Sequence, residues 1–259
     1  MGWRERVDVL KLPADTRGRI ALLRLAAGRP RTGIVAIRIT ALGGQPVHLR
    51  PRTTDLENLI EGVIAGYAQP PREAPTPLNT VVEIGTNIGI GLALIAARNP
   101  GASVYGVEAD ADNLALARAT LAPFDATLLH AAAWDENTTV EIVKHDRGAS
   151  GFQTQPASSG VPARTLTHLL DELVPHNRPI DYLHLDIEGA HARAIKAEDT
   201  TWAARVHTIK VAGHAGTPYD EHECAHDLQR LGFTTRVEPY DPIGWTIGAR
   251  TARPQTDTS

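Results

Sequence analysis

Residues 81–91, VVEIGTNIGIG, carry an apolar strand into a turn holding Gly85, Gly89 and Gly91, and LALIAARNPG then continues with helical spacing. Glycine at such a handover lets backbone come close to a neighbour or a ligand, and the following helix starts with unpaired N–H groups. A strand this uniformly apolar is expected to be covered on both faces. The unit then repeats. Segments 103–107, 127–130, 138–143, 180–186 and 206–211 read as strands, as do TTRVE and GWTIG near the end. Helices are expected at 88–98, from the cap Asp110 to Leu121, and at 166–174, 188–196 and 221–231. Repeated β–α units of this length predict an α/β fold, with a mostly parallel, seven-stranded sheet and helices on both faces.

Upstream the pattern differs. IVAIRIT (34–40) and PVHLR (46–50) flank Leu42-Gly43-Gly44 as a hairpin. Thr54-Asp55-Leu56-Glu57 has the form of a capping box, and Leu56, Leu59, Ile60, Val63 and Ile64 keep helical spacing behind it. AQPPREAPTP (68–77) can hold neither a helix nor a central strand and marks a boundary. The expected organisation is a hairpin-and-helix appendage over 1–75, a main domain over 76–250 and a disordered tail over 251–259. Residues 144–160, rich in Gly, Ser and Gln, read as a mobile loop and a candidate lid.

Composition removes several classes. The formal charge of −4 over 259 residues offers no basic field for a polyanion, so nucleic acid is a poor partner. No apolar run is long enough to span a bilayer, and MGWRERVDVLKL lacks the apolar core of a secretory signal. The lone Cys224 rules out an internal disulfide and fits a reducing compartment. A cytoplasmic protein without membrane attachment is expected, its oligomeric state open, with a homodimer among the alternatives.

What lies on the glycines is constrained by spacing. A pyrophosphate-binding G-x-G-x-x-G from Gly85 would need glycine at 87 and 90, where Asn87 and Ile90 stand. The spacing present is E-x-G-x-N-x-G. Glu108 ends the next strand, 23 residues after Gly85, about where an acidic residue reaches ribose hydroxyls. The blander alternatives are a tight packing turn at the glycines and a solvated strand end at Glu108.

EIGTNIG (83–89), VYGVEAD (104–110) and LDIEG (185–189), in that order, resemble the motifs of FkbM-type methyltransferases. LRPRTTDLENLIEGVIAGY (49–67) and RTLTHLLDEL (164–173) resemble the segments that precede them, so the likeness covers roughly residues 49–233. It implies a Rossmann-like methyltransferase fold, S-adenosylmethionine as donor, and methyl transfer to a hydroxyl of a small metabolite or sugar, as in natural-product tailoring. Carried over, Glu83, Gly85, Thr86, Asn87 and Gly89 would line the methionine end of the donor. Glu108 and Ala109 would hold the ribose, Ala132 would lie beside the adenine, and Asp186 and Glu188 would sit at the end of the fourth strand. Two positions depart from the family: His184 replaces a common lysine, and Ala212 a common glutamate two residues before His214.

Methyl transfer to an alcohol needs in-line positioning and removal of one proton. His214 is the first candidate base because it ends a strand on the expected face; His184 and Asp186 are the others. Asp186, Glu188 and His214 also form a candidate Mg²⁺ set, although no metal is required by the motifs. His222-Glu223-Cys224-Ala225-His226 reads H-E-x-x-H, a zinc-peptidase pattern, but Gln229 and Gly232 break its extended form. The rival functions are N-methylation of a small molecule, a non-catalytic nucleoside-binding protein on the same fold, and the zinc peptidase.

Overall fold

The computed structural model describes residues 8–143, 153–176, 178–187, 189–213, 219–240 and 243–254. Glu188 and His214 lie outside these residues.

The N-terminal region holds α1 (Thr16–Ala26), the antiparallel pair β1 (Val35–Arg38) and β2 (Pro46–Leu49), and α2 (Asp55–Ile60), which runs on as a π turn, Glu61–Ala65. The hairpin stands where it is expected, whereas α1 is not anticipated by the sequence reading. Asp15 caps α1 by accepting the N–H of Gly18 at 2.6 Å. The expected capping box at Thr54 does not form a side-chain cap. Asp55 is instead fully buried and accepts the N–H of Arg50 at 2.7 Å and its guanidinium at 2.8 and 2.9 Å. A buried carboxylate needs such partners, and this demand outweighs a surface cap.

The main sheet contains β3 (Thr80–Ile84), β4 (Ser103–Glu108), β5 (Ala126–His130), β10 (Ile180–Leu185), β11 (Val206–Ala212), β12 (Thr234–Tyr240) and β13 (Ile243–Ala249). Its order is β12-β13-β11-β10-β3-β4-β5, parallel throughout except for the antiparallel β13. Every residue of β3, β10 and β11 is buried, as expected of strands covered on both faces. The chain leaves β3 through α3 (Ile90–Arg98) to β4, and through α4 (Ala111–Leu121) to β5; it then returns to β10 on the other side of β3. The direction of travel thus reverses between β3 and β10, and ligands of open α/β sheets bind outside the carboxyl ends of the strands at such a reversal.

A second sheet, β6 (Ala132–Ala133), β9 (Val161–Arg164), β7 (Thr138–Val143) and β8 (Gln153–Pro156), stands beyond β5. It corrects part of the expected lid, because 153–156 is a strand paired with β7; residues 144–152 lie outside the described residues. Helices α5 (Leu166–Leu173), α6 (His191–Ile195) and α7 (Glu221–Arg230) complete the layers. One apolar cluster joins Leu22, Ile37 and Leu59 to Val81, Leu92 and Tyr182, so the N-terminal region packs on one sheet face. Val82, Leu183, Ile209 and Leu228 fill the other. The tail is not free over its whole length: Arg253 donates to Pro77 O at 3.1 Å and approaches Asp181 at 3.5 Å. Among the described residues, no helix is long and apolar enough to cross a membrane.

Candidate active site at the carboxyl edge of the sheet

After β3 the backbone turns back onto β4. The N–H groups of Gly85 and Thr86 both donate to Val107 O, at 2.9 and 3.0 Å, and the Thr86 hydroxyl reaches Glu83 O and Val107 O at 3.1 and 3.2 Å. At Gly85 φ is +90°, and an added Cβ would stand 1.9 Å from the carbonyl oxygen of Asp186. At Gly89 φ is +83°, and a Cβ would stand 3.1 Å from the Cα of Ala117. Neighbouring protein atoms therefore require both glycines. Gly85 lets the turn close on the end of β10, and Gly89 lets the start of α3 settle on α4. These protein contacts constrain both glycines in addition to the approach to a ligand expected from the sequence.

Asn87 occupies the tip of the turn at φ +51°. Its N–H donates to Glu108 Oε2 at 2.7 Å, and the N–H of Asp110 donates to Oε1 at 2.8 Å. Burial pushes the Glu108 carboxyl up to about 7, against the pull of those two N–H groups. Asn87 Oδ1 is buried without a hydrogen-bond partner among the described residues. Beyond Glu108, Ala109 and Ile187 pack on a small apolar cluster that contains Ala132. The structure thus brings Asn87, Glu108, Ala109 and Ala132 to one edge, with Asp186 joined to it through its N–H to Ile84 O at 2.9 Å. Two partners were not evident from sequence. His130 Nε2 lies 2.8 Å from Ala109 O, and Arg50 reaches Asn113 Oδ1 at 2.7 Å, tying the N-terminal region to the helix that follows Glu108.

Glu83 and His184 lie deeper. They face each other in register on β3 and β10, and His184 Nδ1 lies 2.8 Å from Glu83 Oε1. Glu83 is 1% exposed and His184 fully buried. Burial, then the charge of Asp186, holds the Glu83 carboxyl well above the usual carboxylate range, while burial pushes His184 down to about 3. A neutral acid therefore faces a neutral imidazole. His184 was a candidate base; with no exposed surface and Tyr67, Tyr182 and Trp245 around its ring, it has no face open to an acceptor. It supports Glu83 instead. Glu83, expected at the methionine end, lies beneath the turn rather than on its surface.

Of the other candidates, Asp186 stays at the edge, while Glu188 and His214 lie outside the described residues. Ala212 ends β11 fully enclosed. The H-E-x-x-H residues lie on α7, whose N-terminus is capped by Asp220 through the N–H groups of His222 and Glu223. His226 points to solvent, and among the described residues no group of three His, Cys, Asp or Glu could hold a metal ion. Among the described residues the zinc-peptidase reading finds no third ligand.

Residues 83–233 match the family model described as the methyltransferase FkbM domain. No curated protein matches the sequence significantly. Solved structures of similar shape include precorrin-6y C5,15-methyltransferase from Geobacter metallireducens, at 13% identity and TM-score 0.44, covering 67% of this chain and 80% of that one. Aeropyrum pernix fibrillarin, solved with natively bound S-adenosyl-L-methionine, is 12% identical with TM-score 0.42, covering 87% and 86%. Pyrococcus abyssi tRNA (uracil-54, C5)-methyltransferase, in complex with S-adenosyl-L-homocysteine, is 13% identical with TM-score 0.45, covering 83% and 43%.

Proposed function

Because the chain belongs to the FkbM-domain methyltransferases, we propose that it binds S-adenosylmethionine at the β3–β4 edge and methylates a hydroxyl of a small metabolite or sugar. The observation that carries the donor assignment is the acceptor-rich edge itself. Asn87 Oδ1 has no partner among the described residues, and the Glu108 oxygens, each holding one N–H, keep capacity to accept a further hydrogen bond; a ribose diol or an amino group supplies such donors. The cluster of Ala109, Ala132 and Ile187 offers an apolar wall of the kind a flat base needs.

The donor, when bound, supplies a methyl group already activated as an electrophile. The chain's own residues position and desolvate. Glu108 accepts from the sugar, the turn at 85–89 fixes where the methionine end can lie, and Asp186 marks the side on which an acceptor approaches. His214 remains the proposed base, with Asp186 as its orienter.

Calorimetry with S-adenosylhomocysteine tests the donor assignment: saturable binding at low-micromolar or tighter affinity is expected, and its absence at millimolar ligand would end the reading. Substituting His214→Ala should lower turnover with labelled donor while leaving that affinity nearly intact. Unchanged turnover would remove His214 as base.

A further inference from the structure

On the face of the sheet that carries Glu83 and His184, the same row continues to Lys210 on β11. Lys210 is 6% exposed. Its Nζ donates to Tyr67 O and, at 3.4 Å, to Gln69 O, and it lies 4.1 Å from the centre of the Trp245 ring. Among the described residues no carboxylate forms an ion pair with it; Glu238 and Asp186 act on it only from farther away. A buried cation without a counter-ion is costly, and two carbonyls and an indole face solvate it without neutralising it. An ammonium carries three donors, so after the two carbonyls only the indole face competes for the third, and it is a weaker partner than an anionic oxygen.

That residue lines a cleft of about 520 Å³, together with Tyr67, Gln69, Arg236, Glu238 and Trp245. The volume suits a metabolite. The other charges are largely matched. Arg236 is held by Glu73 at 2.7 and 2.9 Å and also pairs with Glu238, and Arg72, at the rim, is paired with Glu73 at 3.0 Å. Lys210 is the charge left over. Two of its lining residues, Tyr67 and Trp245, pack against the ring of His184, two residues before Asp186.

We propose that this cleft is the acceptor site, and that it selects a small carboxylate whose anionic group pairs with Lys210 while its apolar or aromatic body lies against Trp245 and Tyr67. This rests on the methyltransferase reading and deepens it.

The test uses benzoate and its uncharged isostere benzamide as probes, with the full chain, followed by ligand-observed NMR. Benzoate should bind at least about tenfold more tightly than benzamide, the range of one charge-assisted hydrogen bond. The variant Lys210→Gln keeps N–H donors for Tyr67 and Gln69 but removes the charge, and it should abolish the preference while its melting and its S-adenosylhomocysteine affinity stay near wild type. Equal binding of the two probes by the wild type, or a preference that survives in Lys210→Gln, would overturn the proposal. Displacement of benzoate by equimolar inorganic phosphate would overturn the carboxylate assignment. Calorimetry with S-adenosylhomocysteine on the same sample separates the two readings. Donor binding without a benzoate preference removes this inference alone, whereas the preference without donor binding leaves an anion site and removes its role as acceptor site.

Discussion

The turn after β3 and the cleft beside β11 share one sheet and differ in what holds them. The turn is fixed by backbone: glycines with no room for a side chain, N–H groups spent on Val107, and Glu108 clasped between Asn87 and Asp110. The cleft is fixed by side chains from distant parts of the chain, with Glu73 bound to Arg236 and Lys210 bound under Tyr67. A backbone-built site cannot adjust without moving strands, so it suits a ligand that never changes. A side-chain-built site can be re-lined by substitution, which suits the acceptor, the component that varies between methyltransferases of one fold.

Substitution at Gly85 should mark the contrast most strongly. In Gly85→Ala the new Cβ meets the Asp186 carbonyl 1.9 Å away, at a φ that already disfavours it. We expect a loss of about 4 kcal/mol or more in denaturant unfolding, or no folded protein. The control is Gly101→Ala, at φ +93° with nothing within 4 Å, where only the left-handed strain of about 1–2 kcal/mol applies. Equal losses at the two positions would show that the turn is not clamped by its neighbours.

Glu108 offers a sharper test, because its effect is on the ligand. Burial pushes its carboxyl up to about 7, and only the ionised form can accept from both hydroxyls of a diol without spending an oxygen on its own proton. Affinity for S-adenosylhomocysteine should therefore be flat above pH about 7 and weaken below it, levelling off several-fold lower once the carboxyl is protonated. For folding without ligand the sign is reversed. Stability from this group is greatest below the ordinary carboxyl pKa of 4.5, and declines as pH rises from there to about 7. In Glu108→Gln both pH dependences should vanish, with affinity several-fold weaker. A pH-independent affinity in the wild type would detach Glu108 from the sugar.

The same contrast decides what could be read from sequence. Motifs that close on themselves within a few residues were legible. Glu83 to Gly89, Glu108 with Asp110, and the all-buried strands announce themselves by spacing and by apolar runs. The packing demand on Gly85 was not legible, because Asp186 O lies about a hundred residues away in the chain. Nor was the cleft, since nothing local links Tyr67, Glu73, Lys210, Arg236 and Trp245. His184 seemed open as a base only while its neighbours across the sheet were unknown. The capping box at Thr54 does not form, and the buried pairing of Arg50 with Asp55 beside it was not legible either. Helix α1 spreads its large apolar residues over more than one face, with Leu22 and Leu25 buried and Ile20 and Leu23 exposed, and its cap at Asp15 carries too little signal alone.

The smallest expected effect bears on how the cleft is walled. Glu73 belongs to the proline-rich segment and accepts from Arg236 Nε and Nη2, and hydrogen bonds from Arg236 hold its carboxyl down at about 2. Its contribution to stability is therefore fully present above the ordinary value of 4.5 and is lost as pH falls from 4.5 toward 2. Both side chains are about a quarter exposed, so solvent screening limits that contribution to about 1 kcal/mol or less. Glu73→Gln should lower the melting temperature slightly at neutral pH, and the gap to the wild type should narrow steadily between pH about 5 and about 3. Donor affinity should not change, because the turn after β3 draws on none of these side chains. A gap that persists in acid would assign the loss to packing of the segment rather than to its charge. A shift in S-adenosylhomocysteine affinity would couple the two regions and undo the division between the proposed backbone-built donor site and the proposed side-chain-built acceptor site.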